Sequence, residues 1–358
     1  MCSALARQGH DVTLYVPDRK PVQAEDPFAY FGIPQEFRFR RLPCVDALRF
    51  APLGKAGFWI QTFTFLWSLR RALREAPPSV VYSRELWLFA FPGVPGRHAW
   101  ESHALPASVL ARRLARRLGR IVTLTAASRR RLVEDDGIPE GRVLVEPDAV
   151  DPALFMEAPS RDVARSRLGI PAASYVCLYT GKFTTMGMPK GLDESVAAVR
   201  RLAEEGRGVQ LVAVGGTPEE LARYAPQASD RVRLVGHQPQ RTLKDWYAAA
   251  DLLLMPFPHT EHYAYYMSPL KLFEYLRSGK PMIVTDLPSV REIVSESSAF
   301  FAAPGDAASL AAEIRRAMDD PSDAAVRAGR AAELSERYTW AERARRIAAF
   351  LAADGGAL

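Results

Sequence analysis

Short apolar, β-branched runs alternate with longer stretches of helical period along almost the whole chain, the pattern of parallel strands covered by helices. In the first half these runs predict strands at 12–16, 80–82, 121–125 and 143–145. In the second half they fall at 175–179, 209–214, 232–234, 252–255, 282–285 and 300–302. Several end in turn punctuation, as in Val-Gly-Gly-Thr-Pro at 214–218 and Met-Pro-Phe-Pro at 255–258. The pattern predicts an α/β fold of two doubly wound, Rossmann-like domains. A length of 358 residues, more than one core usually organises, agrees with two. Asp151, Pro152 and Pro159 break the pattern and put the boundary near Met156, giving domains at 1–156 and 157–335. Residues 336–358, in an Ala-, Arg- and Glu-rich tail, are expected to form a last helix that crosses back to the first domain. The chain opens in a helix at 3–8 and meets its first strand only at Val12. The first domain is therefore expected to lack its first strand and loop, about thirty residues by comparison with an ordinary βα unit.

Composition narrows the class. The chain is 48% hydrophobic and 25% charged, ordinary for a soluble globular protein, and no run approaches the ~18 apolar residues of a membrane span. The N-terminus lacks the pattern of a secretory signal, so a cytoplasmic protein is expected. Cys2, Cys44 and Cys177 are too few and scattered for a disulfide framework or metal knuckle, and read as buried small hydrophobes. No HExxH, HxH or Asp-x-Asp pattern occurs, so no metal is expected.

The formal charge of +6 is uneven: residues 1–150 hold 22 Lys+Arg against 15 Asp+Glu, a balance of +7, whereas 151–358 hold 25 against 26. An anionic partner of the first half is expected, such as a phosphorylated lipid, a membrane surface or an acidic glycan. Nucleic acid is not, because no helix-turn-helix, zinc finger or ribonucleoprotein motif accompanies the charge. Leu110, Leu114 and Leu118 share one helical face while Arg112, Arg113, Arg116, Arg117 and Arg120 crowd the others. Such a helix suits peripheral contact with the inner face of a membrane, or simply packs by its leucines. The aromatic run at 58–67 reads as a core helix or as the floor of a lipid-acceptor groove.

Two clusters carry chemistry. Tyr-Thr-Gly-Lys-Phe at 179–183, with Lys190 and Gly191 after it, joins a strand end to a helix start. Gly181, the helix N-terminus, Lys182 and Lys190 together suit a diphosphate, with solvated loop lysines as the plain alternative. The second cluster is Met-Ser-Pro-Leu-Lys-Leu-Phe-Glu-Tyr at 267–275. Ser268 is expected as N-cap with Pro269 at the first helical position, exposing N–H groups near Leu270. Glu274 suits the vicinal hydroxyls of a ribose, or forms an ordinary surface pair with Lys271.

These clusters, with Gly-His-Asp-Val-Thr at 9–13, Trp-Glu-Ser-His at 100–103, Leu-Val-Ala-Val-Gly-Gly at 211–216 and Tyr-Thr-Trp at 338–340, resemble the family 4 retaining glycosyltransferases over nearly the whole chain. The resemblance implies the GT-B fold, two Rossmann-like domains facing across a cleft, and transfer of a sugar from a UDP- or GDP-sugar to a hydroxyl of a glycan, lipid-linked or small-molecule acceptor. It implies retention of configuration without a metal or other cofactor. By resemblance Lys182 and Lys190 neutralise the diphosphate, with backbone N–H groups around Ser268, Pro269 and Leu270, and Lys271 belongs to the same donor-binding set. Glu274 holds the ribose, the loop at His237 touches the base, and His103 faces the reacting sugar, with Glu101 beside it on the acceptor side. Relatives carry a glutamate eight positions before Glu274, where this chain has Tyr266, and Glu261 is the nearest carboxylate to replace it. The rival readings are a sugar-nucleotide epimerase or phosphorylase of the same architecture and a catalytically degenerate GT-B scaffold. A nicotinamide dehydrogenase is disfavoured, since no GxGxxG follows a strand.

Overall fold

After a short helix, α1 (Cys2–Arg7), the first strand β1 (Thr13–Asp18) pairs in parallel with β2 (Arg38–Pro43), helix α2 (Pro27–Phe31) intervening. The computed structural model describes residues 1–19, 26–49, 54–185 and 187–353. Strand β2 carries three arginines, and its buried anchor is Leu42, so the apolar pattern passes over it. The long helix α3 (Gly54–Glu75) leads into a four-stranded parallel sheet, β3 (Val80–Ser83), β4 (Arg97–Ser102), β5 (Arg120–Thr123) and β6 (Val143–Val145), in that spatial order. Helices α4 (Val109–Ala115) and α5 (Ala126–Arg130) are capped by Ser108 and Thr125, whose hydroxyls accept from the N–H groups of Ala111 and Ser128. Leu66, Leu69 and Leu73 of α3 share one core with Val81, Trp100, Ile121 and Val143, and with Leu42 and Tyr15 of the two-stranded sheet. Among the described residues no strand joins the two sheets.

The second unit is Pro147–Thr339. Its six parallel strands lie in the order β11-β10-β7-β12-β13-β14: β7 (Tyr175–Thr180), β10 (Val209–Gly216), β11 (Val232–Gly236), β12 (Leu252–Met255), β13 (Met282–Thr285) and β14 (Phe300–Ala302). A small antiparallel pair, β8 (Thr184–Thr185) and β9 (Met188–Pro189), follows β7. This is the doubly wound order with β7 at its centre and the reversal between β7 and β12. Alternate residues serve opposite faces. Val176, Leu178, Leu253 and Val284 point to one core with α9 (Leu243–Ala249) and α10 (Leu270–Arg277). Cys177, Tyr179, Leu254 and Ile283 point to the other with α7 (Leu192–Glu204) and α12 (Ala307–Asp319). Burial on both faces explains why these strands read as continuous apolar runs. Helices α6 (Arg161–Leu168), α8 (Pro218–Tyr224), α11 (Pro288–Arg291) and α13 (Pro321–Ser335) complete the unit.

The last helix, α14 (Trp340–Ala352), belongs to the first unit, which comprises Met1–Glu146 and Trp340–Leu358. Gln8 donates to the Ala341 carbonyl at 2.8 Å, and Arg97 to that of Leu351 at 3.0 Å. The division falls at Glu146 because Val150 already pairs with Thr339, which ties 147–156 to the second unit.

Three sequence expectations need correction. The basic helix ends at Ala115, with Arg120 already in β5, and only Leu114 and Leu118 are buried while Leu110 is exposed. The aromatic run at 58–67 lies on a core helix by one face only: Gln61 and Leu66 are buried, whereas Phe58, Trp59, Ile60, Phe63 and Trp67 are exposed. Cys177 is buried, but Cys2 and Cys44 are half-buried.

Asp251 fixes the start of the central strands. Its carboxylate accepts from the Val176 N–H at 2.7 Å, from Arg165 at 2.5 Å and from Arg161 at 2.9 Å. Arg165 is fully buried and also donates to the carbonyls of Ala249, Ala172 and Ser174. Arg165→Ala leaves Asp251 with Arg161 and the Val176 N–H but removes its buried partner and three carbonyl contacts, so a cost of about 3 kcal/mol, the low end for breaking a buried pair, is expected as a shift in the urea midpoint.

Candidate functional site

The carboxyl ends of β7 and β10 meet backbone to backbone. A Cβ at Gly215, where φ is +117°, would lie 2.9 Å from the carbonyl of Gly181, so only glycine fits. The chain then runs through Lys182 and the β8–β9 pair to Lys190 and Gly191, where a Cβ would lie 1.7 Å from the Pro256 carbonyl oxygen. This segment is held by Glu220, which sequence reasoning missed. The buried Glu220 carboxylate accepts from the N–H groups of Phe183 (3.2 Å), Thr184 (2.7 Å) and Thr217 (3.0 Å), and from the Thr184 hydroxyl (2.6 Å). Burial pushes its carboxyl pKa up, but these hydrogen bonds outweigh it and hold the group below the usual range. The signal was present as Thr-Pro-Glu-Glu at 217–220, a capping box. Its glutamate serves the helix start and the loop at once.

Lys182 is exposed and Lys190 half-buried. Burial lowers the Lys190 pKa; Glu220 opposes that shift and Lys182 adds to it. Lys271 is not a surface partner of Glu274. It is buried, its Nζ has no hydrogen-bond partner, and it stands over the rings of Tyr179 (3.7 Å) and Phe257 (5.2 Å), 3.6 Å from where a Cβ would sit on Gly181. Burial, reinforced by Lys190 and opposed by Glu274, pushes its pKa well below the usual lysine range. Three lysines thus converge on one strand end.

Glu274 is half-buried and accepts from Tyr247 at 2.7 Å, with Gln240 also bonded to it. Burial raises its carboxyl pKa against the pull of Tyr247, Gln240 and Lys271. It lines a recess with Phe155, Gln240, Leu243, Lys244 and Tyr247, and the rings of Phe155 and Tyr247 lie 5.4 Å apart. Tyr275 ties the site to the sheet, accepting from the Thr180 N–H at 3.0 Å and donating to the Leu254 carbonyl at 3.2 Å.

Ser268 is not the N-cap of α10. The helix starts at Leu270 with Pro269 in the cap position, and the Ser268 hydroxyl instead accepts from the Asp148 N–H at 2.8 Å. Tyr266 ends a π-helical turn, His262–Tyr266, and donates to Glu261 at 3.4 Å, so the nearest carboxylate is attached to the tyrosine that stands in the glutamate position. His237 is exposed in the loop after β11.

In the first unit, Glu101 is buried at the end of β4 and bonded to His103 Nε2 at 2.6 Å. Arg84 (3.2 Å) and Arg343 (3.4 Å) flank it, and Tyr82 donates to it. Burial raises its pKa, but His103, Arg343 and Arg84 override that and hold the carboxyl well below the usual range. A carboxylate only accepts, so the His103 N–H that faces Glu101 is the one on Nε2. Among the described residues no cluster of three or more His, Cys, Asp or Glu side chains could hold a metal.

Two family models match, one described as Glycosyltransferase Family 4 over residues 1–154 and one as Glycosyl transferases group 1 over 174–320. The chain belongs to the family 4, group 1 glycosyltransferases. A D-inositol 3-phosphate glycosyltransferase of Thermobispora bispora is 31% identical over 240 residues, 64% of this chain and 54% of that protein. The chain spans about half the length of the curated relatives it matches. Sucrose-phosphate synthase from Thermosynechococcus elongatus superposes with a TM-score of 0.75 at 19% identity, covering 97% of this chain and 89% of that one. HepE of Anabaena, solved with UDP-glucose, does so with a TM-score of 0.68 at 18% identity, covering 88% and 86%. The family fold, GT-B, is thus the fold of this chain.

Glu220→Ala removes the acceptor of three backbone N–H groups, so about 2–4 kcal/mol of stability is expected to be lost in urea denaturation, with the loop from Lys182 to Lys190 opened to proteolysis.

Proposed function

We propose that the protein transfers a sugar from a nucleoside diphosphate sugar to an acceptor hydroxyl with retention at the anomeric carbon. The observation that carries this reading is the convergence of Lys182, Lys190 and Lys271 on the Gly181 strand end, with Glu274 on the helix beside it. In this reading the second unit binds the donor. The lysines and the first N–H groups of α10, around Leu270, face the diphosphate and supply its neutralising charge without a metal or other cofactor. Glu274 accepts from the two ribose hydroxyls, and Phe155 and the His237 loop border the base. HepE was solved with UDP-glucose, which favours a UDP-sugar over a GDP-sugar.

The first unit binds the acceptor, a glycan, lipid-linked or small hydroxylated molecule, with Glu101 orienting His103. The acceptor oxygen bonds to the anomeric carbon as the bond from that carbon to the phosphate oxygen breaks. The acceptor proton passes to the leaving phosphate, and the lysines stabilise the charge left there. Tyr266, with Glu261 attached, addresses the transferred sugar in place of the family's glutamate. A cytoplasmic location belongs to the same reading. Tyr266 at that position also favours a second reading, a scaffold that binds nucleotide without turnover, which product analysis with a panel of sugars and acceptors would separate.

The decisive measurement is thermal unfolding with UDP, GDP, ADP and dTDP for the wild type and Glu274→Ala. One nucleotide at about a hundred times its dissociation constant is expected to add roughly 2.7 kcal/mol to the wild type and nothing to the variant. Stabilisation by none of the four would overturn the reading. The raised pKa of Glu274 makes a further outcome specific. The ribose needs the carboxylate, so affinity should be flat above that pKa and fall as pH drops through it, at a higher pH than for an ordinary carboxyl. Glu274→Gln should flatten this profile.

A further inference from the structure

Helix α3 buries one face and leaves an aromatic one in solvent. Leu66, Leu69, Ala72 and Leu73 enter the core, while Trp59, Phe63 and Trp67, each four residues from the next, form an exposed stripe, Trp67 at 64%. The stripe is ordered. Trp59 stacks on Phe63 with ring centroids 5.6 Å apart and meets Trp87 edge-on at 5.7 Å, and the Arg70 guanidinium lies 5.8 Å above the Trp67 ring. Trp87 belongs to a 3-10 turn, Leu86–Ala90, against which α4 packs. Helix α4 carries exposed Leu110 (63%) and Arg113, and exposed Arg117 lies in the turn that follows it.

An exposed aromatic stripe on a helix whose other face is core marks an interaction surface more often than a bare one. Tryptophan, phenylalanine and leucine beside arginine is the composition that settles at the boundary of headgroups and acyl chains. No helix among the described residues is long and apolar enough to cross a membrane, so such a face would lie on the bilayer. The balance of +7 over residues 1–150 favours an anionic surface, and it disfavours a second copy of the chain, which would set Arg113 and Arg117 against their like.

We propose that Trp59, Phe63 and Trp67, with Leu110, Arg113 and Arg117, form a docking surface for an anionic lipid bilayer. This goes beyond the donor-site reading and does not depend on it. The test is co-sedimentation of the full chain with vesicles of phosphatidylcholine, alone or mixed with phosphatidylglycerol, without any nucleotide sugar. The wild type should bind the mixed vesicles only, and brominated lipid should quench its tryptophan emission. Arg113→Gln with Arg117→Gln should weaken binding by roughly tenfold or more, as should serine at 59, 63 and 67 together. Because all five side chains are exposed, the variants should keep the wild-type unfolding transition, and the quenching arm needs no variant. The proposal fails if the mixed vesicles leave the wild type in the supernatant or unquenched, or if the serine variant binds them equally. It also fails if the protein self-associates through this face, seen in light scattering as a dimer that the serine variant lacks.

Discussion

The carboxylate of Asp251 governs how the second unit is assembled. It takes one backbone N–H from the start of β7 and two arginine side chains from α6, while its own residue immediately precedes β12. The central strand, its neighbour across the chain reversal and a helix on one face are thereby locked in register. Everything at the other end of these strands inherits that register, including the place where Gly181 touches Gly215. A buried guanidinium is tolerable here because carbonyls at the ends of neighbouring elements take up its remaining N–H groups.

At the carboxyl ends the design reverses. Asp251 and Arg165 satisfy each other, whereas the Lys271 Nζ has aromatic faces around it, a second lysine nearby, Glu274 as an opposing charge and no hydrogen-bond partner. Charge held without a hydrogen-bond partner is a standing cost of folding, and an anion entering the site would relieve it. Glu274 is the mirror case, a carboxyl enclosed beside a recess and held by a tyrosine. Such unresolved electrostatics marks a site more specifically than the surface lysines do.

The fold was legible where burial is two-sided. The inner strands of the six-stranded sheet read as apolar runs because both faces are covered, and β12, β13 and β14 match their predicted limits. β2 was not legible, because its arginines look like a surface segment, and β4 begins with Arg-His before its buried half. In the site, residue type and spacing singled out the glycine–lysine loop and Glu274 but left solvated lysines and an ordinary ion pair as alternatives, and the resemblance to the family chose between them. The role of Glu220 could not, since it depends on a loop 36 residues away in sequence folding onto a capping box. The Ser268 cap failed for a similar reason: a backbone N–H from Asp148 competes for the hydroxyl and wins. The aromatic face of α3 misled because large apolar residues usually mean core, and only the folded packing tells which side of a helix is covered.

The first unit is discontinuous. Glu101 and Glu146, at the ends of β4 and β6, receive Arg343 and Arg346 from α14, which is separated from them in sequence by the whole second unit. During synthesis, then, the amino-terminal part emerges first yet must wait with Glu101 short of Arg343 and Glu146 short of Arg346. The continuous second unit can close as soon as Thr339 has left the ribosome. The part made first is finished last. A ribosome that stalls or terminates before α14 would release a chain with a complete second unit and an unfinished first one.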